Sequence, residues 1–487
     1  MTAPTIEALL LILIGCLAIL MRLPNLGDPV DNYDEGVYLQ SLWMMAHGYL
    51  PFRDLAATQG PLHLYSQYPF FLLFDQTVAA GRAASVAFSV AGVAGAWWSA
   101  RQLGGPLAGG AAALLLTLSP TYLRFSRQAL ADLPALAPAA LAVAAAIAYR
   151  QSGRRSFLVA AALLFALGVL MKPIVVPAGI AVALLIWRPT RSGGRDVFIV
   201  ATIVGLVITA VLIALGAVTV LDQVFGFRGD ARAAFGWSFD KNWSMLVEKL
   251  NQDQIGFFGL AVVGMCLGLL KPWRSSTPVM LWTVATAALL VFHTPLHYHH
   301  MVIIVPPLAI LGGLTIGALP TITRAGSVSR LVGVLGGAML LLYLSGLPEL
   351  ARRDGLLLEN IDAAGAGTHQ VDDMIAAAER IRRLTGPDDV VLTDSPYLAF
   401  LAQRRVPAEL LDPSDVRLRS GDLTDERAVL VAASEAPRLV VLWDNKLRLL
   451  PRLMAWVESN YEQDRRYGMG DGQPRVIMRP FQRGKPA

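Results

Sequence analysis

With 487 residues, 55% hydrophobic and only 16% charged, and a mean hydropathy of +0.51, the chain carries too little charge for a soluble protein, where about 25% is usual. Lys and Arg number 41 against 36 Asp and Glu, but the excess sits in short loops between apolar runs, which excludes a nucleic-acid-binding face and marks membrane topology. Cys16 and Cys266 lie inside apolar runs in no metal or redox spacing, so they read as small buried residues without a disulfide.

A span needs about 20 apolar residues. The stretches 6–23, 78–100, 105–121, 130–149, 156–171, 173–187, 197–220, 255–271, 277–293, 301–319 and 331–347 qualify as candidates, roughly eleven spans. The first lacks a basic leader and a small-residue cleavage site, so it reads as a retained span. Alternate short loops hold Arg101; Arg150, Arg154 and Arg155; Arg188, Arg191 and Arg195; Lys271 and Arg274; Arg324 and Arg330. The positive-inside rule puts these in the cytoplasm. Segments 24–77, 122–132, 221–254 and 293–300, the Lys172 hinge and the tail then share the outer face of a multi-pass plasma (inner) membrane protein.

Segment 24–77 is too polar to span and too apolar for free solution, and two short amphipathic helices in the interface account for it. In 221–254, Phe225, Phe227, Trp237, Phe239 and Trp243 alternate with charges, as in an interfacial aromatic belt or a lid over a lipid groove. After about residue 350 the composition turns polar. His369 to Thr385 has a helical apolar period, Asp389 to Asp394 and Pro437 to Leu442 read as buried strands, Leu447 to Tyr461 as a helix and Arg475 to Met478 as a strand. The expected fold class is therefore a polytopic α-helical membrane domain, residues 1–349, followed by a soluble α/β domain, residues 350–487.

Charge beside the bilayer is where chemistry is expected, because ionisable groups there are costly. Asp31, Asp34 and Glu35 crowd into five positions after the first span. A carboxylate there suits a general base, and an N-cap by Asp34 for a helix from Gly36 is the plainer local role. Asp132 starts a span next to Pro134, Lys172 stands between two spans with almost no loop, and Arg124 and Arg127 flank the same face. Such cations suit a phosphate, with interfacial snorkelling as the alternative. His293, His297, His299 and His300 lack a diagnostic zinc spacing, so phosphate contact by His297 or His300 is preferred over a metal. The sequence assigns no cofactor, and a divalent cation at Asp132 is the one option.

Asp34-Glu35-Gly36-Val37-Tyr38, then Gly48-Tyr49-Leu50-Pro51-Phe52-Arg53-Asp54 and Gly60-Pro61-Leu62, resemble the first outer loop of GT-C glycosyltransferases of the protein O-mannosyltransferase and aminoarabinose-transferase type. Ser119 to Arg127 with Asp132-Leu133-Pro134, then Lys172-Pro173, then His297-Tyr298-His299-His300 before Pro306-Pro307, continue that resemblance in order. It implies a polyprenyl-phosphate-sugar-dependent transferase of a hexosyl or pentosyl group, acting outside the cytoplasm on a lipid, glycan or protein hydroxyl. Asp34 would be the base, with Glu35 and Asp132 as partner acids. Arg124, Arg127, Lys172, His297 and His300 would face the donor phosphate, and Tyr38, Arg53 and Tyr298 the substrate. A secondary transporter or flippase of a lipid-linked or small anionic substrate is the alternative. The one-sided acidic clusters and the lack of an internal repeat count against it. A scaffold that only anchors its tail would not need these charges.

Overall fold

The computed structural model describes residues 3–187, 191–270, 276–322, 327–359, 368–470 and 472–481. Of the basic loop residues, Arg188, Lys271, Arg274 and Arg324 lie outside the described residues. The helices of the apolar part are α1 (Ala3–Leu20), α2 (Tyr33–Ala46), α3 (His63–Leu73), α4 (Val78–Thr117), α5 (Pro120–Ser126), α6 (Asp132–Ser152), α7 (Arg155–Met171) and α8 (Ala178–Ile186). They continue as α9 (Arg191–Leu215), α10 (Ala217–Leu221), α11 (Phe227–Phe235), α12 (Phe239–Gln252), α13 (Ile255–Leu269), α14 (Thr277–Phe292), α15 (Val305–Ile322) and α16 (Ser327–Glu359). Segment 24–77 does form two short helices, α2 and α3. The two stretches 78–100 and 105–121 join in α4, broken at Gly105, where φ is +85° and Pro106 follows. Proline removes one helical hydrogen bond, and glycine tolerates the left-handed backbone.

Among the described residues, five helices are long and apolar enough to cross a membrane, or six if the bent pair Phe239–Gln252 and Ile255–Leu269 counts as one. The expected eleven are not all reached by that length, because several apolar helices, such as Arg155–Met171 and Thr277–Phe292, have 17 residues or fewer. Alanine-rich α6 sits at the centre with 94% of its apolar window buried, whereas that of α9 is 6% buried and turns Phe198, Leu206 and Ile213 outward. An apolar surface of that extent is the face a helix offers to lipid. Helices α4 and α15 pack through small residues: a Cβ on Gly313 or Gly317 would lie 2.6 Å from Ala108. Both cysteines are free and exposed, not buried as expected, because they lie on outward helix faces.

The tail comprises α17 (Thr368–Leu384), β1 (Val391–Thr393), α18 (Pro396–Ala402), α19 (Asp415–Ser420), α20 (Asp425–Glu435), β2 (Leu439–Leu442), α21 (Pro451–Asn460), β3 (Tyr461–Gly470) and β4 (Gln473–Pro480). The sheet order is β1-β2-β4-β3, with β1 parallel to β2 and the other pairs antiparallel. The long crossover through α18 to α20 is what a parallel pair requires. Strand β3 was not expected: Tyr461–Gly470 is mostly polar and lacks a clean alternation. The expected boundary at 349/350 falls inside α16, whose helical pattern runs on to Glu359.

One hydrophobic cluster joins the tail to the α2–α3 pair: Leu39, Leu42, Met44 and Phe71 pack with Val391, Tyr397, Val441 and Ile477. Gly36 is the close-approach point, since a Cβ there would lie 2.7 Å from the Tyr397 backbone nitrogen. Gln40 donates to the Arg404 carbonyl at 2.9 Å, and Arg475 pairs with Asp31 at 2.9 Å. The start of α2 is therefore gripped from both sides.

Candidate active site

Helix α2 begins one turn earlier than expected. Asn32 is its N-cap, accepting from the Glu35 backbone N–H at 3.1 Å, so Asp34 is not the cap. Both acids lie in the first turn, where the helix dipole favours negative charge. Neighbouring positions on a helix point about 100° apart, so the two carboxylates go to different places.

Glu35 turns inward and is fully buried. It takes Arg82 in a two-pronged ion pair at 2.7 and 2.6 Å and accepts from the Ala129 N–H at 2.7 Å. Arg82 also donates to the carbonyls of Leu26 and Asp28 at 2.9 and 2.8 Å. That pair ties α2, α4 and two loops together. Expected as a catalytic acid, Glu35 is held off the cavity wall by this geometry.

Asp34 points into a cavity of about 630 Å³, a size typical of small-molecule sites. Its side chain keeps 44% exposure, and one carboxylate oxygen lies 3.7 Å from His299 Nδ1. Asn32, Tyr33 and Tyr38 of the α2 segment share the wall with Thr58 and Gln59. The turn after α14 adds Phe292, His293, His297, His299 and His300, α11 adds Arg232, and the tail adds Asp412, Asp415 and Lys446. The His300 ring lies edge-on to His299 at 4.3 Å and to His297 at 5.6 Å. The His297 N–H donates to His300 Nδ1 at 3.3 Å. Burial holds His297 below its usual range against the opposing pull of Asp34, so its imidazole is a neutral hydrogen-bonding group at pH 7. Burial likewise pushes the Tyr38 phenol well above 10, helped by Asp34 and Asp132, so it stays a neutral hydroxyl.

Asp132 and Lys172 form a second buried pair at 2.8 Å, with side chains 1% and 5% exposed. Asp132 begins α6 without capping it, and neither residue is on the cavity wall. They lie behind it, close enough that both Asp132 and Lys172 act electrostatically on His297. Arg127 also misses the wall: it donates to the Pro24 carbonyl, and burial together with Arg82 lowers its guanidinium to about 10. Arg124 lies over the Phe125 ring at 5.9 Å, away from the wall. Exposed Arg53 pairs with Asp54 at 2.8 Å beside a separate cavity of about 250 Å³. Tyr298 faces Lys249 at 4.4 Å on the exposed side of its turn. Of the expected residues, then, Asp34, Tyr38, His297 and His300 converge, and the rest brace the site or stand apart from it.

The residues sequence reasoning missed are Arg82, Asp412 and Lys446. A charge inside an apolar run was the signal for Arg82. Asp412 and Lys446 gave none, because only the docking of the tail brings them to Tyr33: Tyr33 donates to Asp412 at 2.9 Å, and the Lys446 ammonium lies 3.9 Å from the Tyr33 ring centre. Among the described residues, no group of three or more His, Cys, Asp or Glu is arranged to hold a metal ion.

A family model described as "Predicted membrane protein (DUF2079)" matches residues 30–422. No curated protein matches the sequence significantly. Among solved structures, ArnT from Cupriavidus metallidurans in the apo state is similar with a TM-score of 0.65 at 14% identity, over 98% of each chain. The same protein bound to undecaprenyl phosphate gives 0.62 at 15% identity, again over 98% of each chain. The oligosaccharyltransferase of Archaeoglobus fulgidus in the apo form gives 0.56 at 12% identity, over 89% of this chain and 69% of that one. These are GT-C glycosyltransferases, and the fold of this chain is theirs.

Proposed function

The chain belongs to the DUF2079 family of membrane proteins, and from that premise we propose that it is a GT-C glycosyltransferase that takes a sugar from a polyprenyl-phosphate donor. The carrying observation is Asp34, a carboxylate held open in a cavity of about 630 Å³ beside His299. A fold shared with a protein crystallised with undecaprenyl phosphate supports the donor class.

In this reading an acceptor hydroxyl enters beside Asp34, which takes its proton as the oxygen attacks the anomeric carbon. The bond from that carbon to the phosphate oxygen breaks with inversion, and polyprenyl phosphate leaves with the electron pair. Charge grows on the phosphate, so donors already in place stabilise the transition state more than the ground state. His297 and His300 supply such groups from the wall, and Tyr38 offers a neutral hydroxyl to the sugar. Asp132, Lys172 and the Glu35–Arg82 pair fix the frame behind it. The site and the tail from Thr368 onward face outside the cytoplasm, with a lipid, glycan or protein as acceptor. No metal-dependent step is included.

The test is to incubate purified protein with a panel of polyprenyl-phosphate sugars and acceptors and to measure released polyprenyl phosphate. Release by the wild type that disappears in Asp34→Asn supports the reading. Release that persists in Asp34→Asn, or its absence across the whole panel, overturns it.

A further inference from the structure

The cavity wall is short of fixed positive charge. Its histidines carry no fixed charge, and the whole segment from Asn32 to Gln59 brings a carboxylate to the wall but no cation. Among the lining residues only Arg232 and Lys446 carry a fixed positive charge, against the acids Asp34, Asp412 and Asp415. Arg232 is exposed on its helix, whereas the Lys446 side chain is 18% exposed and held in place.

The loop that carries Lys446 is built to hold it. Asp394 at the end of β1 accepts from the backbone N–H groups of Trp443, Asp444 and Leu447 at 2.6, 3.0 and 3.3 Å. Asn445 takes a left-handed backbone, φ +61°, one residue before the lysine. Non-glycine residues adopt that conformation at a cost, so a surrounding structure must hold it. Arg475 docks the loop from beneath, lying 4.6 Å over the Trp443 ring while it pairs with Asp31. The ammonium then rests on the Tyr33 ring, whose neighbour in the chain is Asp34. Its one carboxylate partner among the described residues, Asp444 at 3.6 Å, lies beyond hydrogen-bond reach, and burial pushes that carboxyl up to about 7.

We propose that Lys446, delivered by the C-terminal region, is the fixed cation that binds the phosphate of the lipid-linked donor. This rests on the glycosyltransferase reading and adds that the tail completes the active site. The bound anion would have to be a phosphate monoester or diester small enough to reach between Tyr33 and the histidine turn. The apolar remainder of the lipid would leave past Phe292, which stacks on exposed Trp237 at 5.5 Å.

The experiment measures equilibrium binding of labelled undecaprenyl phosphate and of uncharged undecaprenol to the full-length protein in nanodiscs. Inorganic phosphate is added as competitor. Wild type should prefer the phosphate lipid, and Lys446→Gln should weaken that lipid by about tenfold, the loss of one charge-assisted contact, while leaving undecaprenol unchanged. Lys446→Arg should restore most of the preference. Displacement by inorganic phosphate would mean that the head group alone is recognised, and no displacement that the lipid is needed to present it; both agree with the proposal. Equal affinity of wild type and Lys446→Gln for undecaprenyl phosphate overturns it, as does a wild type that fails to distinguish the two lipids. Lys446→Met serves as a second variant should the first fail to fold. Asp34→Asn scores the parent reading separately, since it should stop turnover and leave this binding intact.

Discussion

Behind the cavity, Glu35 meets Arg82 and Asp132 meets Lys172 at 2.6 and 2.8 Å, and no side chain among the four exceeds 5% exposure. On the cavity wall, Asp34 keeps 44% exposure and its nearest basic group is a histidine 3.7 Å away. The two regions use the same residue types and sit one helix position apart at Asp34 and Glu35. A buried pair holds its charges in fixed geometry, and removing either partner strands the other in a low dielectric. A carboxylate that water can still reach is able to exchange a proton with a substrate. Access therefore separates the frame from the chemistry.

The comparison breaks first at Asp34. Asp34→Asn should lower release of polyprenyl phosphate by about 10² to 10⁴-fold, the range for a lost general base, with an unchanged unfolding transition. Glu35→Gln should do the opposite. It leaves Arg82 buried without its counter-charge and should cost about 3–5 kcal/mol of stability, read by thermal unfolding in detergent. A Glu35→Gln protein that unfolds like wild type yet has lost turnover would return Glu35 to the catalytic set.

Apolar run length and order carried the helical part of the fold. Every long run became a helix, and the broken run near Gly105 became a broken helix. Position along the chain also exposed Asp34, because an acid just past a span is visible in one dimension. Its direction was not visible. Asn32 rather than Asp34 caps α2, and that shift of two residues decides which acid meets the cavity. Lys172 looked functional for having no loop, yet a partner 40 residues away explains it: Asp132 neutralises it in the interior. Lys446 and Asp412 lie about 400 residues from Tyr33 in sequence, and only the packed tail makes them neighbours. Long-range pairings of this kind leave no periodic trace.

The seam between the two parts can be sharpened at Gly36. A methyl group there would sit 2.7 Å from the Tyr397 backbone nitrogen, which cannot yield as a flexible side chain would. Gly36→Ala should cost about 1–3 kcal/mol by overpacking and should raise protease sensitivity in the tail before the apolar helices are touched. Unchanged proteolysis of the tail would mean that the seam is looser than the packing of α2 on α18 requires.

The smallest expected effect is one of pH. Asp444 titrates at about 7 in the folded protein because it is buried, with Asp394 and Asp31 adding to the rise and Lys446 and Arg475 opposing it. An unfolded Asp titrates near 3.9. Between those values the folded state holds a proton that the unfolded chain has released, so stability falls as pH rises. The penalty is absent below about pH 4 and complete above about pH 7. Asp444→Asn removes the titrating group and therefore the penalty. Its melting temperature relative to wild type should be higher at pH 8 than at pH 5, and other titrating groups cancel in that difference. An equal offset at both pH values would mean that Lys446 holds Asp444 ionised throughout. The lysine's charge would then be neutralised on the wall, and the cavity would have Arg232 as its one uncompensated fixed cation among the lining residues.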